Sequence, residues 1–243
     1  SYLHSLEEVV HAHRAAGRVV ILCPFSWDQG PDHDFLGKNP SQTRWWQDYL
    51  TKYRAWAAQF KGDPGVWFEL WNEPYAWDGT HGYTHDLWLR DAQAMVDNIR
   101  TVAPASIIVV PAGKMSGDET VVADKGPVLL KGRRNLVFDL HAYNAWMGDT
   151  EPVVESRIHS VQDKGCALLF AECGVSNVGY DLDPTNFLHA VTKLGVTTLA
   201  WIWKQDPHDG NSLLGPGNVP RESGKYHWGV TFQTFTLGSR HEP

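Results

Sequence analysis

Two glutamates stand at the ends of apolar, strand-like runs. Glu73 closes the stretch Val66-Trp67-Phe68-Glu69-Leu70-Trp71-Asn72-Glu73-Pro74, and Glu172 closes Ala167-Leu168-Leu169-Phe170-Ala171-Glu172-Cys173-Gly174. A carboxylate at the tip of an apolar strand is costly, because burial disfavours its charged form. Two such groups with acidities pushed apart are what cleavage of a glycosidic bond requires, one as proton donor and one as nucleophile or base. The twelve tryptophans point the same way. Trp67, Trp71, Trp77, Trp88, Trp201, Trp203 and Trp228 fall in or near strand ends, where an indole either packs in the core or offers a flat face to a sugar ring.

The elements that would carry these residues alternate. Helices are expected over Ser5–Ala16, Ser41–Phe60 (capped by Ser41 or Thr43), His85–Thr101, Pro152–Lys164 and Pro184–Leu194. Strands are expected over Arg18–Cys23, Val66–Trp71, Ile107–Val110, Leu136–His141, Cys166–Ala171 and Val196–Trp203. Their continuous apolar character is that of parallel strands buried on both faces. The stretch Val121–Arg134 reads as irregular with one helical turn. In the tail, the alternation Trp228, Val230, Phe232 suggests an extra strand. Alternating helix and strand means parallel βα units in an α/β fold. With no linker or break in composition, residues 1–243 read as one domain.

In a barrel of βα units, catalytic residues come from the C-terminal ends of several strands. Those ends supply Phe25, Ser26, Trp27 and Asp28 after the first strand, and Asn72 and Glu73 after the second. The third offers Gly113 and Lys114, and the fourth His141, Tyr143 and Asn144. Glu172 follows the fifth, and Trp201, Trp203 and Lys204 lie along the sixth. Each has a plainer reading: Asn-Glu-Pro as a strand-ending turn, His141 as a satisfied core histidine, Trp201 as core. Their occurrence together at successive strand ends favours chemistry.

Other classes fit less well. A net charge of −7 argues against nucleic acid, which needs a basic face. No apolar run is long enough to span a membrane. Asp139 and His141 alternate and could face one way, but no H-E-x-x-H or comparable ligand set accompanies them, so no metal site and no cofactor are expected. Cys23, Cys166 and Cys173 cannot all pair within one chain, and Cys23 and Cys166 look like small buried core residues. No segment reads as a signal peptide and no initiator Met is present, so the chain reads as mature, trimmed or cloned.

Leu70-Trp71-Asn72-Glu73-Pro74, His141-Ala142-Tyr143, Ala171-Glu172-Cys173-Gly174 and Trp201-Ile202-Trp203-Lys204 resemble, in order, the successive signatures of glycoside hydrolase family 5. The tail from Trp228 to Thr234 is similar to its exo-β-glucanase branch. The resemblance implies a (β/α)8 TIM-barrel type fold. Here the barrel is incomplete, with about six βα units and the first two strands missing, along with an arginine that the family carries near the nucleophile. Where the family ends a strand with histidine, this chain has Cys23-Pro24-Phe25.

The resemblance further implies a retaining glycoside hydrolase that cleaves β-linked glucan or a related β-glycan by double displacement. Glu73 would be the acid/base and Glu172 the nucleophile, with carboxyl groups about 5–5.5 Å apart. Asn72 would hold the sugar 2-hydroxyl, Tyr143 would hydrogen-bond Glu172, and His141 would line the site. Trp201 would lie under the scissile sugar, with Trp203 the second candidate and Trp228 a further contact. The partner would be an oligo- or polysaccharide, and the protein secreted or extracellular. Open barrel edges predict a homo-oligomer. The rival reading is a carbohydrate-binding pseudoenzyme with weak or no turnover.

Overall fold

The longest strand, Leu136–Ala142, buries six of its seven residues, and the boundary between the two compact units of the chain falls inside it. These units are Ser1–Phe138 and Asp139–Pro243. The computed structural model describes residues 2–24 and 35–238, so Phe25, Ser26, Trp27 and Asp28 lie outside the described residues.

The first unit contains α1 (Tyr2–Ala15), β1 (Val20–Leu22), α2 (Trp46–Phe60), β2 (Val66–Glu69), α3 (His85–Arg100), β3 (Ile108–Pro111), a single left-handed turn, α4 (Gly113–Ser116), and α5 (Glu119–Leu130). The strand β4 (Leu136–Ala142) leads into the second unit. There follow α6 (Asn144–Met147), α7 (Glu151–Gln162), β5 (Leu168–Cys173), the short antiparallel pair β6 (Ser176–Asn177) and β7 (Tyr180–Asp181), α8 (Thr185–Leu194), β8 (Thr197–Ala200) and α9 (Trp228–Gly238). Six strands form one parallel sheet in the order β1-β2-β3-β4-β5-β8, with helices in the crossovers. This is the expected incomplete (β/α)8-type fold. Among the described residues no helix is long and apolar enough to cross a membrane.

In the first unit the register pairs Val20 with Val66 and Leu22 with Phe68, then Phe68 with Ile108. Val66, Phe68, Ile108, Val109 and Val110 are fully buried, as expected for the continuous apolar runs of parallel strands buried on both faces. Each contributes about 1.5–3 kcal/mol of apolar burial. Helix α3 lays Leu87, Trp88, Asp91, Ala92, Met95, Val96 and Ile99 on one face at helical spacing. Its start is capped by Thr84, whose Oγ1 accepts the Leu87 N–H at 3.0 Å. Helix α2 holds the exit of β2 through two buried tyrosines. Tyr53 donates to the Glu69 carbonyl at 2.5 Å, and Tyr49 donates to the Leu70 carbonyl.

Several elements differ from expectation. Ser41 and Thr43 do not cap α2; they sit in and after a separate 3-10 turn at Pro40–Gln42, where the Thr43 hydroxyl bonds the Pro40 carbonyl at 2.7 Å. Residues 119–130 form a helix although Gly126 and Pro127 suggest irregular chain. Val121, Val122 and Leu129 are buried at helical spacing, and that packing outweighs the proline's missing donor. The tail forms α9, not a strand. Trp228, Phe232 and Phe235 are spaced four and three apart, and their rings meet at 5.3 and 5.2 Å along one helix face. The last strand is shorter than expected and half exposed, with Leu199 facing outward. Cys166 and Cys173 are buried, while Cys23 is only half-buried.

Candidate active site

In the first unit, Leu70 and Trp71 are fully buried, and the chain then turns sharply, leaving Asn72 and Glu73 half-buried. Glu73 and Tyr75 both adopt left-handed backbone, with φ of 40° and 64°. For residues with a Cβ this conformation is unfavourable and persists only where neighbours enforce it. They do. The Glu73 carbonyl accepts the Gly37 N–H at 2.9 Å, and the Tyr75 N–H donates to the Lys38 carbonyl at 2.8 Å. Met115 N–H reaches both the Pro74 and Tyr75 carbonyls, at 2.9 and 3.2 Å. The turn that presents Glu73 is therefore held from two sides.

In the second unit, β5 carries one extra residue against β8. Phe170 pairs with Thr198 and Cys173 with Ala200, so three steps on one strand match two on the other. Ala171 and Glu172 occupy this bulge, a device that re-aims a side chain. The Glu172 side chain is 12% exposed. The Tyr143 hydroxyl donates to its Oε2 at 2.9 Å, the contact that the family resemblance implies. His141 Nδ1 lies 3.5 Å from the same oxygen, and its Nε2 lies 3.1 Å from Asp139 Oδ2. The Asp139 contact is an ion pair when His141 is protonated. Asp139 Oδ1 in turn accepts the Ala171 N–H at 2.7 Å, one residue before Glu172.

The loop after β5 is equally constrained. A Cβ on Gly174 would stand 2.7 Å from Asn211 Oδ1 and 2.8 Å from the Tyr143 ring, so only glycine fits. Asn211 clamps Ser176 from both sides, accepting its N–H at 2.9 Å and donating to its carbonyl at 2.7 Å. Burial, and after it the charge on Glu172, push the Cys173 thiol well up, which leaves it inert. Chemically, the second unit builds a carboxylate with a phenol donor and an imidazole at hand.

The tryptophans divide. Trp71, Trp88 and Trp228 are fully buried core residues, whereas Trp77 and Trp203 are 74% and 76% exposed. Trp201 is half-buried, and its carbonyl accepts the Trp228 indole N–H at 3.0 Å. Trp228 thus corrects the expectation of a sugar contact: at 1% exposure it has no open indole face, and it props the Trp201 backbone instead. Lys204 is tied to Asp206 and Asp209 at 3.2 and 2.9 Å, and Asn144 accepts from Asn177 at 2.6 Å. Sequence reasoning took Asp139 only as a weak metal candidate and did not single out Asn211. The alternation Asp139-Leu140-His141 was the signal for the first; nothing in the sequence flags the second.

A parallel sheet wound by helices, with carboxylates at strand exits, defines an incomplete (β/α)8-type enzyme scaffold. The profile of the family described as "Cellulase (glycosyl hydrolase family 5)" matches residues 1–207. This chain belongs to glycosyl hydrolase family 5. Among solved structures it is similar to the catalytic domain of a mannanase from Streptomyces sp. SirexAA-E, with 18% identity over 88% of this chain and a TM-score of 0.70. It spans 65% of that protein's length. It is also similar to a β-mannanase from Streptomyces thermolilacinus, with 18% identity, coverage of 88% of this chain and 69% of that one, and a TM-score of 0.69. A cellulase, Cel5C_n, matches 99% of this chain and 70% of its own at 17% identity and a TM-score of 0.74. At these identities the likeness establishes the fold.

Proposed function

We propose that residues 1–243 act as one catalytic domain of a retaining glycoside hydrolase, endoglucanase- or β-glucanase-like, which cleaves β-linked glucan or a related β-glycan by double displacement. The observation that carries this reading is the surroundings of Glu172: a bulged strand end, a tyrosine donor at 2.9 Å and an imidazole at 3.5 Å. A hydroxyl donated to a carboxylate favours its ionised, nucleophilic form. Family membership supports the same roles.

In the proposed first step, Glu172 attacks the anomeric carbon while Glu73 gives its proton to the departing glycosidic oxygen. A covalent glycosyl-enzyme forms and the aglycone leaves. Glu73, now a carboxylate, then takes a proton from water as that water attacks the anomeric carbon and frees Glu172. Asn72 holds the 2-hydroxyl, His141 and Tyr143 set the nucleophile, and Trp201 underlies the sugar with Trp203 as the second candidate. The chemistry calls for no cofactor. A polymeric substrate places the proposed action outside the cell. Among the described residues β1 and β8 end the sheet order, and such edges favour self-association, which light scattering at micromolar concentration tests: a clean monomer refutes it.

The deciding experiment is hydrolysis of aryl β-glycosides, soluble glucans and mannans by wild type and Glu172→Gln, with the product anomer read by NMR. Turnover with retention, lost in the variant, supports the proposal. Equal residual activity in both leaves a carbohydrate-binding protein without turnover. Inversion refutes the double displacement.

A further inference from the structure

In the first unit, the turn that presents Glu73 leans on a second unfavourable turn. Lys114, Met115 and Ser116 are three consecutive left-handed residues, with φ of 50°, 54° and 59°. None is glycine, so each conformation is unfavourable and persists only where the surroundings enforce it. Met115 N–H is the donor that holds the Pro74 and Tyr75 carbonyls, so this turn is one of the two supports behind Glu73.

What imposes it is Asp118, which is 5% exposed. Its N–H closes the turn onto the Gly113 carbonyl at 3.1 Å. Its carboxylate gathers donors from several sides: the Tyr83 hydroxyl at 3.1 Å, the Thr120 N–H at 3.2 Å, the Thr120 hydroxyl, and Lys114 Nζ at 3.4 Å. His85 Nε2 stands 3.8 Å away. Burial alone would raise this carboxyl, but the Thr120 bond, the Lys114 charge and the Tyr83 bond outweigh it and hold it below its ordinary range. Tyr83 links the two turns. Its ring lies against the backbone of Gly113, where a Cβ would meet the hydroxyl at 1.8 Å, and it packs 5.0 Å from the ring of Tyr75. Tyr75 is itself fixed by its hydroxyl bond to Asp91 Oδ2 at 3.2 Å.

We propose that Asp118 is a positioning residue for general acid catalysis: through Tyr83 and the 113–116 turn it fixes the backbone of Glu73-Pro74-Tyr75. This rests on the reading of Glu73 as acid/base. Asp118 does not touch substrate; it sets where the proton donor stands. A displacement of about 1 Å at a catalytic group can cost on the order of a hundredfold in rate. The loss must fall on reactions that need the proton.

The test compares kcat/KM for an unactivated cello-oligosaccharide with that for dinitrophenyl β-cellobioside, whose leaving group departs without protonation. The matching mannose pair serves if mannan is the substrate. In Glu73→Gln the ratio of the two is expected to fall about 10²–10⁴-fold, the usual worth of a general acid. In Asp118→Asn it should fall about tenfold to a hundredfold, and in Tyr83→Phe by a smaller factor, with dinitrophenyl hydrolysis kept in both. If Glu73→Gln lowers the ratio while Asp118→Asn and Tyr83→Phe do not, or lose both substrates equally, the positioning proposal is overturned and the acid/base reading stands. If Glu73→Gln leaves the ratio unchanged, the acid/base reading itself falls. Should Asp118→Asn fail to fold, the ratio in Tyr83→Phe decides.

Discussion

Replacing Asp139 by alanine removes two contacts at once, both inside the second unit. The Ala171 N–H loses its acceptor at 2.7 Å, and His141 Nε2 loses a carboxylate at 3.1 Å. A part-buried donor left without a partner costs about 1–3 kcal/mol. Loss of the charge contact adds to this, toward the 3–5 kcal/mol seen on breaking a buried pair, only to the extent that His141 is protonated. A net loss of about 2–4 kcal/mol is the expectation. At about 2–4 °C per kcal/mol for a chain of this size, thermal melting should fall by about 5–15 °C. Asp139→Asn retains an oxygen for Ala171 and offers an amide donor to the imidazole, so it should melt close to wild type. The assay is a melt followed by circular dichroism, with urea titration as a check on the slope. If Asp139→Ala melts within 2 °C of wild type, by this same scale, the Ala171 bond does not hold the chain beside Glu172 and the argument fails.

Tyr143→Phe deletes the hydroxyl donated to Glu172. With bonds to charged groups worth about 1.5–3 kcal/mol, kcat/KM for β-glycan should fall about ten- to a hundredfold while melting changes little; unchanged kinetics would remove Tyr143 from the mechanism. Thr84→Ala removes the cap of α3 and should cost about 1 kcal/mol, read as a drop of about 2–4 °C with activity intact. Asp118 is held below its ordinary range, so its contribution is present above the unfolded value of about 3.9 and is lost as pH falls through the lower folded value. Wild type should therefore lose its stability advantage over Asp118→Asn on acidification below about pH 4, and an advantage that grows there would refute the assignment.

How much was legible depended on how local the cause was. The buried strands announced themselves, because Val66 to Phe68 and Ile108 to Val110 need apolar side chains on both faces. The helix at 119–130 did not, because Pro127 argues locally against it while the burial of Val121, Val122 and Leu129 is a tertiary fact. The tail was ambiguous for another reason: Trp228, Val230 and Phe232 alternate, yet Trp228, Phe232 and Phe235 also fit a helix, and three aromatic residues cannot settle the period. Among the candidate residues, type and position at strand ends single out Glu73 in the first unit and His141, Tyr143 and Glu172 in the second. Composition could not show which tryptophans face water, and so Trp228 was grouped with Trp203. Nor could it show Asn211, whose role exists only once residues 176 and 211 meet.

The bulge in β5 has a consequence for how such a site can be lost. Side chains along a regular strand obey parity: residues two apart face the same way. Phe170 faces the helices, meeting Trp146 at 5.0 Å and Phe187 at 4.9 Å. By parity alone Glu172 would follow it, away from Tyr143. The one supernumerary residue resets the count and turns the carboxylate to its phenol. Without the bulge a carboxylate at this position would face the helices, so the role proposed for Glu172 depends on the strand's irregularity as much as on the residue type.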